Sequence, residues 1–189
     1  MFKFIFRLLF RLQGWKVRDL PPSDVRNCVM VGAPHTSNWD FVFTMAACDY
    51  MNLPHPRFTI KKEWMRFPFN LILGPMGAIP IDRSGKKTGE KRPKMVDEMV
   101  KFIEGSDGIT VLVTPEGTRG PAKRWRTGFY HVAMKSQVPI LLGYLDYSKR
   151  EVGVGKVIYP SGDLEKDLRQ IWDFYSTIPP RYPERYIQL

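Results

Sequence analysis

The sequence predicts a single α/β domain, and three observations predict it. Short apolar runs that suit buried strands alternate with longer segments of helical periodicity. Two of those runs open onto polar turns rich in chemically capable side chains, as the loops beyond sheet strands do. A chain of 189 residues, 43% hydrophobic and 13% aromatic, has room for one real core and is not disordered.

Residues 1–14 come first. Lys3, Arg7 and Arg11 recur every fourth residue and share one helical face, while Phe and Leu cover the rest. The run is too short and interrupted to span a bilayer, and its arginines break a signal-peptide core. It is expected to be an amphipathic helix at a membrane interface, with residues 15–189 as the main domain. Gly14 to Asn27, with Pro21-Pro22, reads as an irregular connector.

Cys28 to Gly32 reads as a buried strand, and residues 38–52 as the following helix. Between them lies Ala33-Pro34-His35-Thr36-Ser37-Asn38-Trp39-Asp40. On one continuous helix, residues five apart are rotated by roughly 140°, so His35 and Asp40 can meet only if the helix starts between them. Ser37 suits the N-cap, which puts Asp40 in the first turn. Asp40 then either serves only the helix start or reaches back to one imidazole nitrogen and leaves the other as a base. Such a pair needs no protein nucleophile if the attacking hydroxyl belongs to the substrate.

Arg57 to Lys61 is expected to be a second strand. Residues 63–73 are strongly apolar and aromatic and read as part core, part outward surface. His55, between two prolines, reads as an exposed loop residue. Gly77 to Arg83 is a third strand, where Pro80 argues for an edge or for an interrupted ladder, and Ser84 to Arg92 a polar, mobile loop. Lys94 to Glu104 is a helix with Met95, Val96, Met99, Phe102 and Ile103 inward. Ile109 to Val113 is the clearest buried strand. It opens on Thr114-Pro115-Glu116-Gly117-Thr118-Arg119-Gly120, where Gly117 permits close backbone approach, Thr118 offers a hydroxyl and Arg119 a fork for phosphate. If the strands are parallel, His35, Arg83 and Arg119 converge on one edge.

The basic cluster Lys123-Arg124-Trp125-Arg126 suits phosphate, lipid headgroups or nucleic acid. Residues 127–136 form a helix on which His131 is an ordinary member. Residues 137–145 and 151–159 form a hairpin around Ser148-Lys149-Arg150. Asp163 to Tyr175 is the last helix, and Pro179 to Pro183 an extended tail.

Bulk chemistry narrows the function. A net charge of +10 favours nucleic acid, an anionic membrane or phosphorylated substrates. Cys28 and Cys48 do not make a disulfide framework and read as buried thiols of a reducing compartment. The three histidines lack zinc-ligand spacing, so no metal site is expected.

Four blocks in order resemble the glycerolipid acyltransferase family, whose best-known type is the lysophosphatidate acyltransferase. His35 to Asp40 is similar to its His-x4-Asp motif and Gly77 to Arg83 to its Gly-x-x-x-Ile-Asp-Arg block. Pro115 to Arg119 matches Pro-Glu-Gly-Thr-Arg, and Val138-Pro139-Ile140 its final strand. The resemblance implies an α/β fold and acyl transfer from acyl-CoA or acyl-carrier protein to a lysophospholipid hydroxyl, with no cofactor. His35 would be the base, oriented by Asp40. Arg83, Arg119 and Lys61 would hold an anionic headgroup, and Glu116 and Gly117 would shape the acceptor site. It implies a peripheral enzyme on the cytoplasmic face of a membrane, with membrane lipids and no nucleic acid as partners. Pro34, Thr114 and Gly120 depart from familiar members, and residues 125–129 are similar to a less-studied bacterial branch. The acceptor therefore stays open between lysophosphatidate and another lyso-lipid, such as an amino-acid-containing one. A non-catalytic lipid-binding module and a nucleic-acid-binding protein are the readings from other classes.

Overall fold

A computed structural model describes residues 2–81, 95–122 and 124–186, with the side chains of Phe2, Lys61 and Ile81 outside the description. The strands are β1 (Lys16–Val17), β2 (Asn27–Gly32), β3 (Pro56–Lys61), β4 (Ala78–Ile81), β5 (Ile109–Val113), β6 (Ile140–Asp146) and β7 (Glu151–Ile158). They form one sheet in the order β1-β7-β6-β2-β5-β3-β4. From β6 to β4 every pairing is parallel. The hairpin partner β7 runs antiparallel to β6, and β1 lies parallel to β7. The expected connector at 14–27 thus contains a two-residue strand, because the backbone of Lys16 and Val17 finds the free edge of β7. As expected, Pro80 lies in the edge strand β4.

The helices are α1 (Phe2–Leu12), α2 (Asn38–Tyr50), α3 (Asn70–Leu73), α4 (Met95–Glu104), α5 (Gly128–Ser136) and α6 (Leu164–Tyr175). Strand β2 is buried on both faces, which is why Cys28 to Val31 is an unbroken apolar run. Its side chains alternate between two cores. Val29 and Val31 join Val111, Ile140 and Leu142 beneath α4, α5 and α6. Cys28 and Met30 join Leu141, Val152 and Phe43 beneath α1 and α2.

Helix α1 packs by its Phe6–Phe10 edge. Phe10 is 3% exposed and its ring lies 5.3 Å from Tyr50 and 6.5 Å from Phe43. Phe6 meets Phe41, which in turn meets Phe58 of β3. Lys3 and Arg7 each pair with Asp49 at 3.2 Å. The basic edge therefore faces α2, while Phe4, Ile5, Leu8 and Leu12 point outward. Among the described residues no helix is long and apolar enough to cross a membrane.

Two local expectations change. On α4 the inner stripe is Val96, Met99, Val100 and Ile103, with Met95 and Phe102 exposed. At roughly 100° per residue, Met95 and Phe102 fall on one flank of that stripe and Val100 on the other. The segment after β3 forms a 3-10 turn, Lys62–Met65, and then α3, neither holding a buried residue. Trp64, Phe67, Phe69 and Leu71 are all exposed. The loop expected over Ser84 to Arg92 lies outside the described residues.

Candidate active site

After Gly32 the chain leaves β2 and turns into α2 through buried Ala33, Pro34, Thr36 and Ser37. Ser37 is the N-cap, its Oγ accepting the Trp39 amide at 3.1 Å. Asp40 returns the other half of a capping box. Its Oδ2 accepts the amides of Thr36 and Ser37, both at 2.9 Å, and lies 3.1 Å from His35 Nδ1. The helix-start role and the histidine-orienting role fall on the same oxygen. With Oδ2 an acceptor, the network assigns the proton to Nδ1, and a neutral ring then keeps a lone pair on Nε2. Among the described residues Nε2 has no hydrogen-bond partner. The His35 side chain is 20% exposed against 6% for Asp40, so the ring reaches solvent in part while its partner is buried.

The other oxygen of Asp40 accepts the Tyr147 hydroxyl at 2.6 Å. Burial, and then the Asp40 charge, push that hydroxyl far above its ordinary range, which keeps it a donor. Tyr147 is braced by Trp15 at 4.9 Å and Phe43 at 6.3 Å. Asp40 thus holds four donors from three directions.

The second polar turn follows β5, the strand beside β2. Glu116 is 7% exposed. Its Oε1 accepts the His35 amide at 3.1 Å, tying the two turns together, while its buried Oε2 has no partner among the described residues. Burial raises the Glu116 carboxyl above its ordinary value, and the His35 amide opposes this. Burial, with Glu116 adding to it, pushes the Tyr186 hydroxyl up to about 12.

Gly117 adopts φ +65, and a Cβ there would stand 3.1 Å from Arg126 Nε. Its own amide donates to Thr114 O at 3.1 Å. The glycine thus serves the turn and leaves room for Arg126. Thr118 is exposed, with its hydroxyl accepting the Gly120 amide at 3.2 Å. Arg119 donates to the Asn38 side-chain oxygen at the start of α2. The parallel strands therefore bring His35 and Arg119 to one edge, as the sequence anticipates. Lys61 ends β3 at that edge, but its side chain and all of Arg83 lie outside the described residues. Of the basic cluster at 123–126, Lys123 also lies outside them, and Trp125 is not a surface ligand: it is 6% exposed and packs on Tyr175. His55 and His131 are exposed and apart from the site.

Sequence reasoning missed Tyr147 and the C-terminal tail. Tyr147 follows the end of β6, the other neighbour of β2, so the strand-end rule would have found it had the strand order been legible. The tail crosses back over the first turn. The Tyr182 amide donates to Thr36 Oγ1 at 3.3 Å, and Arg181 lies over the rings of Trp39, Tyr147 and Tyr182 at 5.4–5.7 Å. Thr36, Asn38, Trp39, Arg119, Tyr182 and Arg185 surround a cleft of about 440 Å³.

No curated protein matches the chain. A family model described as Acyltransferase matches residues 16–141, a span that holds both polar turns and stops short of Tyr147 and the tail. With that match covering most of its length, from β1 into β6, the chain belongs to the acyltransferase family, the glycerolipid acyltransferases that include the lysophosphatidate acyltransferases.

Proposed function

We propose that this acyltransferase moves a fatty acyl group from a thioester, acyl-CoA or acyl-carrier protein, to the hydroxyl of a lysophospholipid such as 1-acylglycerol-3-phosphate. The observation that carries the reading is the contact between His35 Nδ1 and Asp40 Oδ2, within a carboxylate already fixed by two backbone amides and a tyrosine. His35 Nε2 takes the proton from the acceptor hydroxyl as its oxygen attacks the thioester carbonyl. The tetrahedral intermediate collapses, the carbon–sulfur bond breaks, and the imidazolium returns its proton to the departing thiolate. No acyl-enzyme forms. Asp40 stabilises the transient imidazolium and holds the ring in place.

Arg119, with Lys61 and Arg83, binds the anionic headgroup in this reading, and Glu116 and Gly117 shape the acceptor pocket. The enzyme works as a peripheral protein on the cytoplasmic face of a membrane. The outward apolar stripe of α1 and the exposed Trp64, Phe67, Phe69 and Leu71 support that placement. The test is thioester consumption by wild type and His35→Ala with lysophosphatidate and then other lyso-lipids. Loss of turnover by three orders of magnitude or more is expected, on the order of what general-base removal costs. Full activity in the variant, or no turnover by wild type on any acceptor, sinks the assignment.

A further inference from the structure

The cleft at the start of α2 is lined by two arginines from distant parts of the chain. Arg119 comes from the turn after β5, and Arg185 from a 3-10 turn, Pro183–Arg185, in the tail. The tail is seated on Thr36: Tyr182 donates its amide to Oγ1 and Arg185 donates Nη1 to the carbonyl at 3.5 Å. Arg185 also lies 4.4 Å over the Tyr182 ring, which limits where its fork can point.

Among the described residues neither guanidinium is neutralised within the cleft. Arg119 bonds an uncharged amide oxygen, and among the described residues no carboxylate lies within ion-pair distance of it. Among the described residues the one carboxylate within ion-pair distance of Arg185 is that of its exposed neighbour Glu184, at 3.8 Å. Neither Asp40 nor Glu116 lines the cleft; Asp40 is held by four donors, and Glu116 accepts the His35 amide through one oxygen. The cleft also opens at the N-terminal end of α2, whose dipole adds the same sign. Two forked cations around one small cleft, with no acid between them, match the geometry and charge of a phosphate monoester.

We propose that Arg185 and Arg119 together clamp a phosphate monoester of the substrate, so that the tail beyond the family-matched span is part of the binding site. The proposal deepens the acyl-transfer reading and rests on it for the ligand. A phosphate monoester is carried by a lysophosphatidate headgroup and by the ribose of coenzyme A.

Calorimetric titration of the full chain with glycerol 3-phosphate, coenzyme A and 3′-dephospho-coenzyme A tests it. Wild type binds at least one of the first two, and Arg185→Gln and Arg119→Gln each weaken that binding about tenfold with an unchanged melting temperature. A response to glycerol 3-phosphate assigns the clamp to the acceptor. A response to coenzyme A, absent with the dephospho form, assigns it to the donor. Should the glutamine variant fail to melt cooperatively, Arg185→Lys replaces it and still weakens binding, because the fork is lost. Wild-type affinity in the Arg185 variants, or no binding of any probe by wild type, overturns the clamp. Thioester turnover by wild type in the same preparation keeps the two claims apart: turnover with unaltered Arg185 binding removes the clamp alone.

Discussion

Asp40 concentrates several tasks in one carboxyl group. It caps α2, orients His35 and anchors Tyr147, so replacing it confounds stability with activity. Tyr147 offers a cleaner probe. Tyr147→Phe deletes one hydrogen bond to Asp40 and keeps the ring against Trp15 and Phe43. Loss of a bond to a charged group costs about 1.5–3 kcal/mol. Thioester turnover should fall roughly tenfold or more, with KM nearly unchanged. Equal turnover would remove Tyr147 from the positioning of His35. Glu116 makes a different prediction. Its folded pKa is raised above the ordinary 4.5 by burial, so the folded state favours its protonated form. The associated stability is present below that value and is lost as pH rises through the folded pKa. Glu116→Gln abolishes this loss, so its melting temperature relative to wild type should climb between pH 4 and pH 7.5. A difference independent of pH would mean that the buried carboxyl carries no such penalty.

Among the elements, α1 and α2 show what a sequence conveys and what it withholds. The start of α2 was legible because Ser37 suits the N-cap and puts Asp40 in the first turn, and a helix start between them let His35 and Asp40 be paired. The periodicity of α1 was equally legible, but its orientation was not. Lys3 and Arg7 stay exposed, yet Asp49, a residue with no sequence signal, fixes their edge against α2. That rotation turns Phe4 and Leu8 outward and makes them separable from folding. The double variant Phe4→Glu, Leu8→Glu should keep its melting temperature within a degree or two, since both side chains already face solvent. Flotation with anionic phospholipid vesicles should drop by about tenfold or more, since each buried apolar side chain contributes about 1.5–3 kcal/mol. Unchanged flotation would exclude α1 as the anchoring surface. The stripe of α4 was misjudged by one flank, because periodicity locates an apolar arc without fixing its centre.

Over the whole molecule, the α/β class and most strands could be read from apolar runs and turn residues. The order of strands could not, because residue pattern does not encode which neighbour a buried strand chooses. That order puts β5 on one side of β2 and β6 on the other, delivering Glu116 and Tyr147 to the same histidine turn. The tail escaped notice for the same reason: Arg181, Tyr182 and Arg185 acquire meaning only where the chain recrosses Thr36. The histidine–aspartate pair is close in sequence, yet its supports come from 81, 107 and 146 residues away. The pair is therefore local in sequence but non-local in what holds it still: its rigidity depends on contacts whose loop-closure cost grows with sequence separation.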